Sequence, residues 1–256
     1  MREIIRAENV RKTFTLSRKQ RKLEKNPSGR KVALGGLSFT AYEGEIYGLL
    51  GPNGAGKTTM LRILATLIRA DEGDAFVNGH SVAREADKVR SSIGFLTSEL
   101  KLEDFFTPDY LIGFFGRLHG MREDVLAARK AELFSRFGIG EFAEVKVGDL
   151  STGMKQKVSI AVSILHDPPV IIFDEPTNGL DVLTAKTVTD FLLEEKVRGK
   201  SIVLSTHIFS LVEKLCDRVG VIIGGRMAAE GTLAEVSGTK PLEDAFFDLY
   251  AEAVRA

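Results

Sequence analysis

Gly51-Pro52-Asn53-Gly54-Ala55-Gly56-Lys57-Thr58 is the stretch on which the reading of this chain turns. It fits G-x-x-x-x-G-K-[ST] at every fixed position. The apolar run Ile46 to Leu50, which reads as a strand, leads into it. Thr58 to Ile68, with helix-compatible residues at apolar spacing, leads out. Glycines let successive backbone N–H groups turn inward around an anion, and a helix N-terminus adds a favourable dipole. Lys57 supplies a point charge for β- and γ-phosphates, and the Thr58 hydroxyl is a hard oxygen that suits Mg²⁺. Gly51, Pro52, Asn53, Gly54, Ala55, Gly56, Lys57, Thr58 and Thr59 are therefore the candidate phosphate contacts. A glycine-rich turn with an incidental lysine is the plain alternative for the motif taken alone.

A second element answers it far down the chain. Val170-Ile171-Ile172-Phe173-Asp174-Glu175 is a fully apolar run ending in two carboxylates. Continuous apolar character marks strands buried on both faces of a parallel sheet, and ligands of such sheets bind at the strands' carboxyl ends. Asp174 is placed to hold Mg²⁺, directly or through water, and Glu175 to polarise an attacking water. An Asp-Glu pair after a strand is often only a helix start; beside the glycine loop, chemistry is the better reading.

Outward from these motifs the chain reads as one α/β domain over residues 1–256. Ile4 to Val10 and Leu37 to Ala41 read as strands of an N-terminal antiparallel β subdomain, and Ala75 to Asn78 and Ile93 to Leu96 as further short strands. From about Pro108 to His166, Leu111, Phe114, Phe115, Leu118, Leu126, Leu133, Phe134 and Phe137 recur at helical spacing. That pattern predicts a helical lobe inserted into a mostly parallel core. Val182 to Val197 and Ile208 to Leu215 read as helices around a strand at Ser201 to Ser205. Arg218 to Glu230 reads as a hairpin turning at Gly224-Gly225, and residues 241–256 as an amphipathic terminal helix.

Lys plus Arg and Asp plus Glu both number 35, so whole-chain charge argues for neither a nucleic acid nor an anionic membrane as partner, and no nucleic acid is expected. Cys216 is the single cysteine, which excludes an intrachain disulfide. No apolar run reaches the ~18–20 residues a membrane-spanning helix needs, and the start lacks a secretory signal's apolar core. The expectation is a cytoplasmic protein that must borrow a membrane if it acts on one. Residues 18–31 carry seven basic side chains against one acidic. They read first as a solvated loop, and alternatively as a contact for anionic lipid headgroups, each charge adding ~1 kcal/mol near a membrane.

The two motifs alone admit any P-loop ATPase. Leu150-Ser151-Thr152-Gly153-Met154-Lys155-Gln156, just upstream of the acidic strand, narrows the field because it resembles the signature of ABC ATPases, usually LSGGQ. Gly179-Leu180-Asp181 resembles that family's D-loop, Ser205-Thr206-His207 its switch histidine, and Val10-Arg11-Lys12-Thr13-Phe14 the segment whose aromatic stacks on adenine. The likeness covers nearly the whole chain and is nearest the ATPase subunits of bacterial exporters of the sodium-efflux (NatA) type. The stretches 92–100, 150–157, 173–184 and 242–247 carry that finer impression.

What the resemblance implies is an ATP- and Mg²⁺-dependent ATPase working beneath a separate membrane permease. Each ATP would be clamped between the cradle of one copy and Ser151 and Gly153 of a second copy, arranged head to tail, with Asp181 at the same interface. Lys57, Glu175 and His207 would carry catalysis, and Phe14 would stack on the base. Two positions depart from the family pattern: Thr152 replaces a glycine, and Ser98 followed by Glu99 stands where a metal-coupled glutamine is usual, so either would reach the cation only through water. These departures keep open a nucleotide-binding module with little hydrolysis, against which the intact Glu175 and His207 argue. A soluble ABC ATPase of translation or repair is the other rival; such proteins tend to carry two cassettes or a long coiled coil, and this chain shows neither.

Overall fold

The computed structural model describes residues 2–23, 28–97 and 102–255. In chain order, β1 (Glu3–Thr15) leads through α1 (Arg18–Leu23) to β2 (Arg30–Tyr42), β3 (Ile46–Leu50) and α2 (Lys57–Leu64). Then come β4 (Glu72–Val77), β5 (His80–Ser81), α3 (Ala86–Ser92) and β6 (Ile93–Leu96). Helices α4 (Pro108–Leu118), α5 (Glu123–Phe137) and α6 (Thr152–Ile164) follow, with two short 3-10 turns between the last two. Strand β7 (Val170–Asp174), α7 (Val182–Val197), β8 (Ser201–Thr206), α8 (Phe209–Leu215), β9 (Arg218–Ile223), β10 (Arg226–Thr232), α9 (Leu233–Ser237) and α10 (Leu242–Arg255) complete the fold.

Two sheets result. The first is antiparallel, in the order β2-β1-β4-β5; the second runs β10-β9-β3-β8-β7-β6 and is parallel except for β10. The apolar strands explain the layering. In β3, Tyr47 and Leu49 join a core shared with Ile5, Val10 and Leu37 of the first sheet, whereas Ile46 and Leu50 join the opposite core. Strand β7 divides the same way, Val170 and Ile172 to one side, Ile171 and Phe173 to the other. Period-two alternation between two apolar layers is why these runs lack polar positions. Each fully buried large side chain is worth roughly 1.5–3 kcal/mol.

Parallel register aligns the strand ends that matter. Leu50 pairs with Thr206, and Asp174 with Ser205, so the chain leaves β3, β7 and β8 at one edge. The hairpin tip between β9 and β10 reaches the same region. Gly225 takes φ +77, donates from its N–H to the Ala55 carbonyl at 3.0 Å and accepts from the Gly35 N–H at 2.8 Å. A Cβ there would stand 2.7 Å from the Ala33 carbonyl oxygen, so only glycine fits.

The helices between β6 and β7 are set by local signals. Thr107 caps α4, its hydroxyl accepting from the Tyr110 N–H at 3.2 Å with Pro108 in the first turn. Gly138, at φ +65, ends α5. Arg136 of α5 bonds Glu195 of α7 at 2.7 Å, and Phe137 packs on Phe191, fastening these helices to the core.

Some boundaries move. β1 and β2 outrun the expected strands because their ladder continues from Val10 through Phe14, opposite Lys31. Residues 17–31 are not wholly a loop. Six of them form α1, held where the Arg21 Nε donates to the Leu16 carbonyl at 3.1 Å and the Leu16 N–H donates to the Gly29 carbonyl at 2.8 Å. Helix α2 stops at Leu64 rather than Ile68, with Thr66 at φ +61. Ser98 and Glu99 lie outside the described residues.

Candidate active site

The glycine loop joins β3 to α2. A Cβ on Gly51 would sit 2.3 Å from the Ile222 carbonyl oxygen of β9, and Gly56 adopts φ +109 with Ala33 close by, so both positions demand glycine. Lys57 is buried, its Nζ donating to the Gly51 carbonyl at 2.7 Å and the Pro52 carbonyl at 3.3 Å. The same ammonium is 3.4 Å from a Glu175 carboxylate oxygen.

Asp174 ends β7, and its Oδ1 accepts from the Thr58 hydroxyl at 3.1 Å and from the Ser205 hydroxyl. Glu175 follows in the left-handed region at φ +50, a conformation a glutamate adopts only where neighbours enforce it. Its N–H donates to the Ser205 carbonyl at 3.1 Å and reaches the Ser205 hydroxyl at 3.2 Å. Both of its carboxylate oxygens lie 3.0 Å from the His207 Nδ1.

Lys57, Thr58 and Glu175 border a cavity of about 450 Å³, whereas Asp174 and His207 stand behind its wall, bonded to Thr58 and Glu175. Asn53, Gly54, Ala55, Gly56, Lys57, Thr58, Thr59 and Glu175 wall one end, and Phe14, Leu16, Lys31 and Ala33 the other. The cavity is thus polar and donor-rich at one end, while the other presents Phe14, Leu16 and Ala33 beside the Lys31 side chain, an outline that suits a nucleotide with phosphates and base apart. Thr58 and Asp174 offer hard oxygens on neighbouring elements, the donor type Mg²⁺ prefers. Among the described residues no cluster of three or more His, Cys, Asp or Glu is placed to hold a metal ion.

Ser151, Gly153 and Asp181 lie elsewhere, and among the described residues none of them lines this cavity. Ser151 caps α6, accepting from the Met154 N–H at 3.3 Å. Asp181 caps α7, accepting from the N–H groups of Leu183 and Thr184 at 3.0 Å; hydrogen bonds from Thr184, first its hydroxyl at 2.7 Å, lower the carboxyl pKa. A Cβ on Gly153 would meet the Thr184 hydroxyl at 2.8 Å, so the two helix starts are in contact.

Ser205, Asn178, Leu16 and Lys31 were not singled out as site residues from sequence. The last three line the cavity, and Ser205 bridges the two carboxylate residues. Ser205 had a sequence signal, as the residue at which the apolar run Ile202-Val203-Leu204 gives way to hydroxyls. Asn178 is brought in by the turn after β7, its N–H donating to the Glu175 carbonyl at 3.1 Å, and Leu16 and Lys31 depend on how the β1–β2 ladder folds over the loop.

A strand, glycine loop and helix, with a carboxylate pair delivered by a parallel strand at the same sheet edge, define a P-loop nucleotide-hydrolysing protein. Residues 34–178 match the family model described as ABC transporter. The chain is 38% identical over 220 residues to the ABC transporter ATP-binding protein NatA of Bacillus subtilis (strain 168), covering 86% of this chain and 89% of that one. It is 31% identical to the linearmycin resistance ATP-binding protein LnrL of the same organism, over 91% of this chain and 70% of the relative. Against the Nod factor export ATP-binding protein I of Burkholderia lata the identity is 40%, over 79% and 67%. Among solved structures, an ATP-binding subunit of an ABC transporter superposes with TM-score 0.84 at 26% identity, covering 96% of this chain and 99% of that one. A dimeric ATP-binding cassette bound to ADP and Pi gives 0.78 at 25%, over 90% and 98%. The chain belongs to the ABC transporter ATP-binding family and is an ATPase of that type.

Proposed function

We propose that this chain hydrolyses ATP to drive export through a separate membrane subunit, working as a head-to-tail pair on the cytoplasmic face. The observation that carries the reading is the convergence of Lys57, Thr58, Asp174, Glu175 and His207 at one sheet edge, on or beside a cavity whose far end holds Phe14. In this scheme Phe14 stacks on adenine, and Lys57 with the loop N–H groups binds the phosphates. Thr58 and Asp174 would hold Mg²⁺, whose charge would offset that of the phosphates. Glu175 orients the attacking water, and His207 fixes Glu175 and approaches the γ-phosphate. Such catalysis is mostly positioning and charge neutralisation.

The placement of Ser151, Gly153 and Asp181 away from their own cavity supports a site completed by a second copy. ATP is then the differential ligand that favours the closed pair. An apolar groove of about 180 Å³ between Leu102, Phe106, Tyr110, Leu111, Phe114 and Phe115 supports docking of the membrane subunit. Among the described residues no helix is long and apolar enough to cross a membrane. The lipid contact proposed for residues 18–31 rests on Arg18, Lys19 and Lys22 of α1, since Arg21 is committed to Leu16.

Export follows the relatives named for resistance or export, and sodium is the first cargo to test because of the NatA likeness. Cells lacking the chain should become sodium-sensitive; unchanged growth in high sodium removes that cargo. Pairing has its own test. Glu175→Gln should accumulate an ATP-dependent dimer in size-exclusion chromatography, and adding Ser151→Arg should abolish it, because a long cation would fill the space for the other copy's γ-phosphate. A dimer that survives in the double variant would remove the composite site and the transport mechanism built on it.

A further inference from the structure

We infer that Ser205 is a positioning residue for hydrolysis, acting through Glu175, with Asp174 as the acceptor that fixes its hydroxyl, and without touching nucleotide. This rests on the proposed role of Glu175 as the group that orients water. The Ser205 side chain is fully buried at 0% exposure, in a strand whose preceding residues Ile202, Val203 and Leu204 are all apolar. A hydroxyl so placed costs free energy unless it is hydrogen-bonded, and this one is used twice. A hydroxyl has one donor and spare acceptor capacity. The Ser205 donor goes to the Asp174 Oδ1, and its oxygen lies 3.2 Å from the Glu175 N–H it accepts.

The consequence is geometric. The Glu175 N–H lies between the hydroxyl and the carbonyl of Ser205, which fixes the peptide where the backbone turns to φ +50. That turn aims the Glu175 carboxylate at Lys57 and at His207 rather than along the strand. Meanwhile Asp174 Oδ1 accepts two hydroxyls, from Ser205 and Thr58, which orients its plane and leaves Oδ2 for other partners. One buried hydroxyl therefore sets the relative orientation of two neighbouring carboxylates. The parallel register that pairs Asp174 with Ser205 makes the arrangement available.

The test compares Ser205→Ala, Ser205→Thr, Glu175→Gln and the Ser205→Ala/Glu175→Gln double variant of the full chain. Steady-state phosphate release gives kcat and KM for ATP, and equilibrium ATP binding with the thermal midpoint reports folding. A displacement of ~1 Å in a positioned group can cost about 100-fold, so Ser205→Ala should lower kcat by roughly 10–100-fold while KM and ATP affinity move by less than about threefold. Ser205→Thr, which keeps the hydroxyl, should recover most of that loss. Combined with Glu175→Gln, Ser205→Ala should add little, because its target is already gone. A kcat near wild type in Ser205→Ala while Glu175→Gln is inactive overturns the inference and leaves the Glu175 reading standing. Turnover near wild type in Glu175→Gln instead removes the Glu175 reading itself. Loss of ATP affinity in step with turnover, or a full additional loss in the double variant, also overturns it, since either shows Ser205 acting by another route.

Discussion

Replacing Glu175 by glutamine removes a charge without removing volume, and the structure sets what should follow. The side chain is 12% exposed, lies 3.4 Å from the Lys57 ammonium and 3.0 Å from the His207 ring, and leaves a backbone already committed to φ +50. Glutamine keeps that backbone and a carbonyl oxygen for one neighbour. It cannot act as a base towards water, so kcat should fall ~10²–10⁴-fold. Binding should move the other way. The carboxylate pairs with the Lys57 ammonium at 3.4 Å and carries the same sign of charge as a triphosphate. Relieving both at a partly solvated site is worth about 1 kcal/mol, so ATP affinity should rise several-fold. Phosphate release under steady state, beside equilibrium ATP binding at fixed Mg²⁺, measures both arms. Phosphate release within tenfold of wild type, or ATP affinity weakened more than tenfold, would refute the reasoning.

Lys57→Ala removes the side-chain cation nearest the glycine loop and should weaken ATP binding itself; an unchanged dissociation constant would show that Gly51 to Thr58 is not the phosphate site. Phe14→Ala should weaken ATP by roughly the ~1–3 kcal/mol a base–aromatic stack is worth, with little effect on binding of inorganic triphosphate; equal losses for both ligands would remove Phe14 from the base site. His166 carries a pH effect. Burial, reinforced by the stacked His119 ring, pushes its pKa down to about 4, and its Nε2 lies 3.1 Å from the Ile93 carbonyl. The unfolded chain then binds more protons than the folded one between about pH 4 and 6.5, so this stability is whole above about pH 6.5 and lost as pH falls. Urea unfolding should show about 1–2 kcal/mol lost between pH 7 and pH 5, with a smaller loss in His166→Asn; identical pH dependence in the two would refute the assignment.

The contrast between what could be read and what could not has a physical basis. Gly51 to Thr58 and Val170 to Glu175 are contiguous, and each carries its own evidence because a strand, a turn and a helix start follow one another in sequence. Asp174 and Ser205 meet only through the β7–β8 register, which no local pattern announces. Leu16 and Lys31 reach the cavity because the β1–β2 ladder extends past the apolar stretches that marked its ends. Helix α1 has no apolar face to give a period; tertiary hydrogen bonds through Arg21 and Gly29 hold its base. The family resemblance, by contrast, was legible because order and spacing of short motifs survive where their partners in space cannot be seen.

The hairpin tip at Gly224-Gly225 bears on how this protein can be altered. Tips joining two antiparallel strands are ordinarily where chains tolerate insertions and tags, because nothing beyond the turn depends on them. Here the tip is bonded at once to the phosphate loop through Ala55 and to the other sheet through Gly35. Lengthening it would pull apart three segments rather than one. Labels, affinity handles and circular permutation sites therefore belong elsewhere on this chain, and a residue inserted between Gly224 and Gly225 acts on the nucleotide site without touching nucleotide.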